Sequence, residues 1–177
     1  MAEEELVELV ETGAANPEPE TAYGALVSWS LDQQVLHPDR PTYVAVVEAL
    51  KADGFVMCID VWAVDYLTND TRVLPDGVRP ERYEVVASFI NHVAHTRMRV
   101  RVQVPAEDPT IASLFDVYPG AEAMEREAFD MFGITFENHP DMCRILMPDD
   151  WEGHPLRKDY AIGSIPVQFK ASPSERS

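Results

Sequence analysis

Basic residues are scarce in this sequence: 14 Lys and Arg stand against 31 Asp and Glu, a formal charge of −17 over 177 residues. Binding duplex nucleic acid or anionic lipid through phosphate neutralisation needs the opposite sign, so both partner classes are excluded. Cysteine is scarcer still, with Cys58 and Cys143 far apart and in no C-x-x-C pair. That rules out a disulfide framework and the four thiolates an iron–sulfur cluster usually takes, leaving two buried free thiols in a reducing compartment as the expectation. None of the eight glycines forms a G-x-G, which removes the usual phosphate-cradling loops for ATP, NAD or flavin. Long apolar runs are missing too. The longest stretch without Asp, Glu, Lys or Arg is Val85 to Thr96, well short of the ~20 residues of a membrane-spanning helix. The acidic start Met1-Ala2-Glu3-Glu4-Glu5 lacks the positive charge of a secretory or transit peptide. Membrane association is therefore expected only through another protein.

What is present is a composition of 46% hydrophobic and 25% charged residues, enough for one domain with a core. The acid is unevenly placed: nine carboxylates precede Arg40, the first Lys or Arg of the chain. Residues 1–38 read as a solvated acidic arm with a small apolar docking patch at Tyr23, Leu26, Val27, Trp29 and Leu31. An α/β domain over 39–133 follows. Val44, Val47 and Leu50 recur at helical spacing ahead of Gly54, a residue suited to a left-handed helix end. Phe55 to Val64 is nearly continuous in apolar residues and predicts a strand buried on both faces. Asp76-Gly77 marks a turn into a second strand over 81–90. Met98, Val100, Val102 and Val104 alternate with Arg97, Arg99, Arg101 and Gln103, a third strand with one polar face. The arginine row is expected to be solvated or paired with carboxylates, the acidic arm being one source. Pro119-Gly120 opens a second helix through Ala121, Met124, Ala128 and Met131, ended by Gly133. The fold class is thus α/β (α+β), a small mixed sheet with helices packed on it.

Residues 134–177 lose both periods and are punctuated by proline, yet carry Phe136, Ile145, Leu146, Met147, Trp151, Leu156, Ile162, Ile165, Val167 and Phe169. An irregular segment this apolar predicts an extended docking strap that needs a partner's groove, and an isolated chain partly unfolded or aggregation-prone beyond Gly133. Candidate chemistry is sparse. Glu125, Glu127 and Asp130 fall within six residues, but Arg126 is interleaved and Arg144, Arg157 and Lys158 follow, which favours a structural ion-pair cluster over acid–base work. His139, Cys143 and His154 match no closed zinc pattern. Both histidines precede proline, as His139-Pro140 and His154-Pro155, and read as turn elements whose imidazoles bond a backbone group or a carboxylate.

The run Glu125-Arg126-Glu127-Ala128-Phe129-Asp130-Met131-Phe132-Gly133-Ile134, with Asn138-His139-Pro140-Asp141 and Arg144-Ile145-Leu146, resembles the 30 kDa subunit family of respiratory NADH:quinone oxidoreductase, complex I, also called its C subunit. Asp149-Asp150-Trp151-Glu152-Gly153-His154-Pro155-Leu156-Arg157-Lys158-Asp159-Tyr160 is similar to the family's second block. Weaker likeness reaches back through Asp108-Pro109, Arg82-Tyr83 and Asp65-Tyr66. Met124, Met142-Cys143 and Ala161 depart from the pattern, and the acidic start matches nothing in it. The resemblance implies an α/β domain in the hydrophilic arm of the complex, peripheral on the cytoplasmic side of the cell membrane. It implies no cofactor on this chain, with FMN, iron–sulfur clusters, NADH and quinone belonging to its neighbours. It also implies an extended C-terminal segment along the D subunit, which forms the quinone site, near the B and I subunits. Catalytic, cofactor and metal residues are then absent from this chain. Glu125, Arg126, Glu127, Asp130, Gly133, His139, Pro140, Arg144, Trp151, His154, Pro155, Arg157, Lys158, Asp159 and Tyr160 are interface and scaffold residues. A relative fed by ferredoxin or another donor would look alike, and a free-standing metal- or carboxylate-dependent enzyme is the remote alternative.

Overall fold

The computed structural model describes residues 20–69 and 71–161; the acidic residues 1–19 and Ile162, Ile165, Val167 and Phe169 lie outside them. Three short strands come first: β1 (Thr21–Ala22), β2 (Ala25–Ser30) and β3 (Gln33–His37). Helix α1 (Tyr43–Ala52) leads to β4 (Met57–Asp65), β5 (Tyr83–Asn91) and β6 (Thr96–Val104). After β7 (Thr110–Ala112) come α2 (Glu122–Phe132) and β8 (Thr135–Glu137). The main sheet has the order β1-β2-β3-β6-β5-β4. Only β3 and β6 run parallel in it, with Leu36 opposite Val100, and the connection between them carries α1 and the β4–β5 pair. A second small sheet pairs β7 with β8 in parallel across α2.

The 1–38 arm is corrected by this topology. Residues 21–37 are three strands of the sheet, and Val27, Val35 and Leu36 are buried. The signal was two tight turns: Tyr23-Gly24 and Leu31-Asp32 all take positive φ, as two-residue hairpin loops require. Leucine and tyrosine are poor left-handed residues, so the turn chemistry does not announce itself.

Both helices pack on one face. Val46, Val47 and Leu50 of α1 and Ala128 of α2 join the core with Val61, Val85, Ala87, Phe89, Val100 and Val102. Strand β4 is a sheet edge and alternates in burial, so it is not covered on both faces as its apolar run suggested. The second strand begins at Tyr83, two residues later than the sequence pattern, and the third matches its alternation. Arg101 of the arginine row pairs with Glu84 of β5 (Nε to Oε1, 2.7 Å), so its carboxylate comes from the neighbouring strand. The remaining buried oxygen of Glu84 accepts from Gln103 Nε2 at 2.5 Å.

Truncation tests where the domain begins. A chain starting at Glu20 is expected to unfold cooperatively in urea. One starting at Asp39 loses β1–β3, bares the β6 edge and is expected to aggregate. A soluble, cooperatively unfolding chain from Asp39 would place residues 21–37 outside the domain.

Candidate functional site

Every α-helix ends with carbonyls that lack an intrahelical partner. At the C-terminus of α2 the Phe129 carbonyl accepts from Gly133 N–H, with Gly133 at φ 72° in the left-handed cap. The next carbonyls are met by the segment that follows. His154 Nδ1 donates to the Asp130 carbonyl at 2.9 Å, Leu156 N–H to Met131 at 3.1 Å, and Arg157 Nε to Phe132 at 2.6 Å. The positive Arg144 and Arg157 also suit this negative end of the helix dipole.

Asp130 holds the same segment from the other side. Its side chain is fully buried; Oδ1 accepts from Arg144 Nη1 at 2.5 Å, and Oδ2 from the backbone N–H groups of Ile145, Leu146 and Met147 at 3.1, 2.8 and 2.8 Å. Burial pushes this carboxyl up, but the Met147 N–H, Arg144 and the other two amides outweigh it and hold it below the usual carboxylate range. Arg144 Nη2 then reaches the carbonyls of Trp151 and Gly153 at 2.9 and 3.0 Å, closing the loop 144–153. Burial and the charges of Arg157 and Arg144 keep the His154 imidazole below its ordinary pKa against the pull of the Asp130 carbonyl.

A second anchor sits at the end of β4. Asp65 accepts a bidentate pair from Arg82, at 3.0 and 2.9 Å, together with Leu67 N–H and Lys158 N–H, each at 2.9 Å. Arg82 also reaches Asp159 Oδ1 at 2.9 Å. Burial raises the Asp65 carboxyl, but Arg82 and the two amides bring it below its ordinary value. The Arg82 and Arg157 guanidinium groups lie over the Tyr83 ring, at 4.8 and 5.5 Å.

The start of the segment is tied to the other end of α2. His139 Nε2 donates to the Glu122 carbonyl at 3.0 Å while Nδ1 accepts from Asp141 N–H, which fixes the tautomer. Arg126 reaches the carbonyls of Cys143 and Arg144 at 3.2 and 3.1 Å. Glu125 points the opposite way, fully buried, accepting from Ser113 Oγ at 2.5 Å and Leu114 N–H at 2.7 Å. Burial raises its carboxyl above the usual range in spite of those bonds. Glu127 is exposed.

The structure therefore arranges Arg126, Asp130, Gly133, His139, Arg144, Trp151, His154, Arg157, Lys158 and Asp159 along α2, its C-terminal end and the adjoining end of β4. It does not make an ion-pair cluster of the three helix carboxylates: Asp130 pairs with Arg144, Glu125 has no cationic partner among the described residues, and Glu127 is exposed. Lys158 contributes its backbone amide. The groove expected of a partner is, for residues 134–161, largely this chain's own α2, with Ile134 and Phe136 fully enclosed. Gly153, at φ 85°, leaves no room for a Cβ against the Tyr160 ring. Both histidines spend one nitrogen on a backbone carbonyl, as their turn roles predict. Cys58 is buried, but Cys143 is exposed beside Arg126 and Asp141. Among the described residues no group of three His, Cys, Asp or Glu is placed to hold a metal. Asp65 and Arg82 stand outside the candidate set; only the weaker likeness of Asp65-Tyr66 and Arg82-Tyr83 pointed to them. No helix among the described residues is long and apolar enough to cross a membrane.

Residues 36–165 match the family described as respiratory-chain NADH dehydrogenase, 30 Kd subunit. The chain belongs to this family. Its relatives include the NADH-quinone oxidoreductase C subunit of Salinispora arenicola, 43% identical over 137 residues, covering 75% of this chain and 52% of the relative. The C subunit of Bordetella petrii is 40% identical over 157 residues, covering 83% and 75%. The chain spans 52% and 61% of the length of the first two curated relatives it matches. Among solved structures, a trypsin-resistant fragment of Nqo5 superposes with a TM-score of 0.58 at 35% identity, covering 67% of this chain and 89% of the fragment. A chain of an archaeal membrane-bound sulfane sulfur reductase shares the fold, with a TM-score of 0.65 at 21% identity over 86% of this chain and 91% of that one.

Two substitutions test the site. Asp130→Asn keeps the shape but removes the charge facing Arg144 and three amides, and is expected to cost about 2–4 kcal/mol in urea unfolding at pH 7. A carboxyl depressed in the folded state contributes stability above its unfolded pKa of about 3.9 and loses it as pH falls through the folded value. The gap between wild type and variant should therefore close below about pH 4; a gap constant from pH 7 to 3 would refute the charged role. Gly133→Ala sets a Cβ against Arg157 Nη2 and His154 Nε2 at a positive φ. It is expected to cost at least about 1–2 kcal/mol and to raise hydrogen exchange at Leu156.

Proposed function

We propose that this chain is the cofactor-free 30 kDa scaffold of the peripheral arm of NADH:quinone oxidoreductase, helping to assemble the quinone-reducing module. The observation that carries the reading is the strap of residues 138–161. It is fixed to its own domain through Asp130 and Asp65, yet leaves Ile145 40% exposed, Leu146 60% and Leu156 49%. Fully burying one such side chain contributes roughly 1.5–3 kcal/mol, so three partly exposed ones held rigidly form a small contact surface. The partners are the other subunits of the arm, chiefly the D subunit with its quinone site, the B and I subunits lying nearby, on the cytoplasmic side of the membrane. FMN, iron–sulfur clusters and the quinone site belong to those neighbours. In this chain Glu125, Asp130, His139 and His154 are occupied with backbone groups, Ser113 and Arg144, which suits a scaffold role.

The test is Leu146→Asp in cells, with gentle detergent solubilisation, native-size separation, mass spectrometry of co-purifying chains and NADH-to-quinone assay. The isolated variant should unfold at the same urea concentration as wild type, while recovered complex and quinone reduction fall together several-fold. Full complex with lost turnover would overturn the scaffold reading in favour of a direct catalytic part. A wild-type assembly that oxidises reduced ferredoxin and not NADH would overturn the donor.

A further inference from the structure

The strap meets the sheet where β4 ends at Asp65, and the opposite end of the sheet carries a second set of bare apolar side chains. There the β2–β3 turn leaves Leu31 94% exposed, the β5–β6 turn leaves Val93 92% exposed, and Trp29 is 61% exposed. Val56 and Met57, at the start of β4, are more than half exposed. The order β2-β3-β6-β5-β4 spreads these side chains over four strand spacings, about 19 Å. Strands β3 and β6 are parallel neighbours, so each is entered from a hairpin on its far side and no connection closes the gap between their starts. A groove of about 720 Å³ opens there, bordered by Asp32 on one turn and by Ala94 and His95 on the other, with Trp29 and Phe55 in its wall.

Leu31 is the informative residue. A two-residue hairpin loop with both φ positive is best served by Asn-Gly or Asp-Gly. A leucine at φ 50° is disfavoured by its own backbone and, bare in water, gains nothing from the core. Tyr23, at φ 53° in the other tight turn, is compensated inside the chain: its ring packs against the core and its hydroxyl donates to Asp53. Across the groove His95 is also left-handed, at φ 53°. Strain and exposure combined in one apolar side chain point to a surface used outside the chain.

The charged groups around the groove indicate what covers it. Asp32 and Asp53 line it with Arg97, and Glu20 stands beside it, its carboxylate accepting from Trp29 Nε1 at 3.1 Å. Three carboxylates against one guanidinium, next to an exposed indole ring, favour a Lys or Arg side chain. A second copy would instead bring together two chains of formal charge −17. We propose that this end of the sheet docks a basic, apolar segment of another protein in the assembly, a Lys or Arg entering between Asp32 and Trp29 while apolar side chains cover Leu31 and Val93. Resting on the assembly role proposed above, this gives the chain two contact surfaces, held roughly 26 Å apart by the length of β4.

The test introduces a photo-cross-linking residue in cells, as Leu31→benzoylphenylalanine and, separately, Leu146→benzoylphenylalanine on the strap; membranes are irradiated and the linked peptides sequenced by mass spectrometry. Position 31 is expected to link to a protein that co-purifies with the assembly, within a few residues of a Lys or Arg, and at a segment other than the one linked from position 146. Adding Asp32→Lys should lower the yield at 31 several-fold relative to that at 146. Without the label, Leu31→Asn suits the left-handed turn, so the isolated chain should unfold at the same or a higher urea concentration than wild type while recovered complex falls several-fold. Links from 31 confined to copies of this chain, links to a segment without basic residues, or undiminished complex with Leu31→Asn would overturn the second surface and leave the strap's in place. Links at 146 with none at 31 would do the same, and none at either position would overturn the assembly role as well.

Discussion

The C-terminal end of α2 organises the candidate site and the irregular segment that follows it. A helix that stops inside a domain leaves carbonyls needing donors, and left unmet a buried acceptor costs roughly 1–3 kcal/mol. Gly133 meets one, and residues 154–157 meet the next three from a chain segment with no regular structure of its own. Asp130 works in the opposite sense, an acceptor offered to a segment with spare amides at 145–147. Helix end and strap complete each other's hydrogen bonding, which is why a stretch without helical or strand period still has a definite shape.

That reciprocity explains what was readable beforehand and what was not. Periodicity located α1, α2 and β6 because one buried face imprints a pattern on the sequence, while β5 was marked by the turn at Asp76-Gly77 before it. The first three strands escaped because they are short, sit in an acidic context and turn on Tyr23, Leu31 and Asp32. The family motif named most of the site residues, but composition alone sent the strap to a partner's groove. Asp130 belongs as a helix residue to α2 and as an anion to residues 144–147, and no local window contains both facts. Asp65 and Arg82 meet Lys158 and Asp159 only because β4 and β5 end beside each other.

The three carboxylates of α2 show how position outweighs residue type. Glu125 faces the segment after β7, where burial raises its pKa against the pull of two neutral donors. Asp130, five residues on, is also enclosed, yet a guanidinium and three amides hold it ionised. Glu127 between them meets water. Three carboxylates close in sequence are thus divided among a neutral-donor anchor, a charged anchor and a solvated face, and the shared chemistry that proximity suggested does not arise.

The prefolded strap has an energetic consequence for any partner that binds it. A disordered segment that folds on binding gives up about 2–5 kcal/mol or more of its interaction energy to ordering. Here Asp130, Arg144 and Asp65 order residues 138–161 during folding of the chain itself, so contact at Ile145, Leu146 and Leu156 need not supply that term. The same anchors make the strap sensitive to acid, since protonating Asp130 or Asp65 weakens their hold on its amides and on Arg144 and Arg82. Stability of the strap and presentation of its apolar side chains are therefore one property of these two carboxylates.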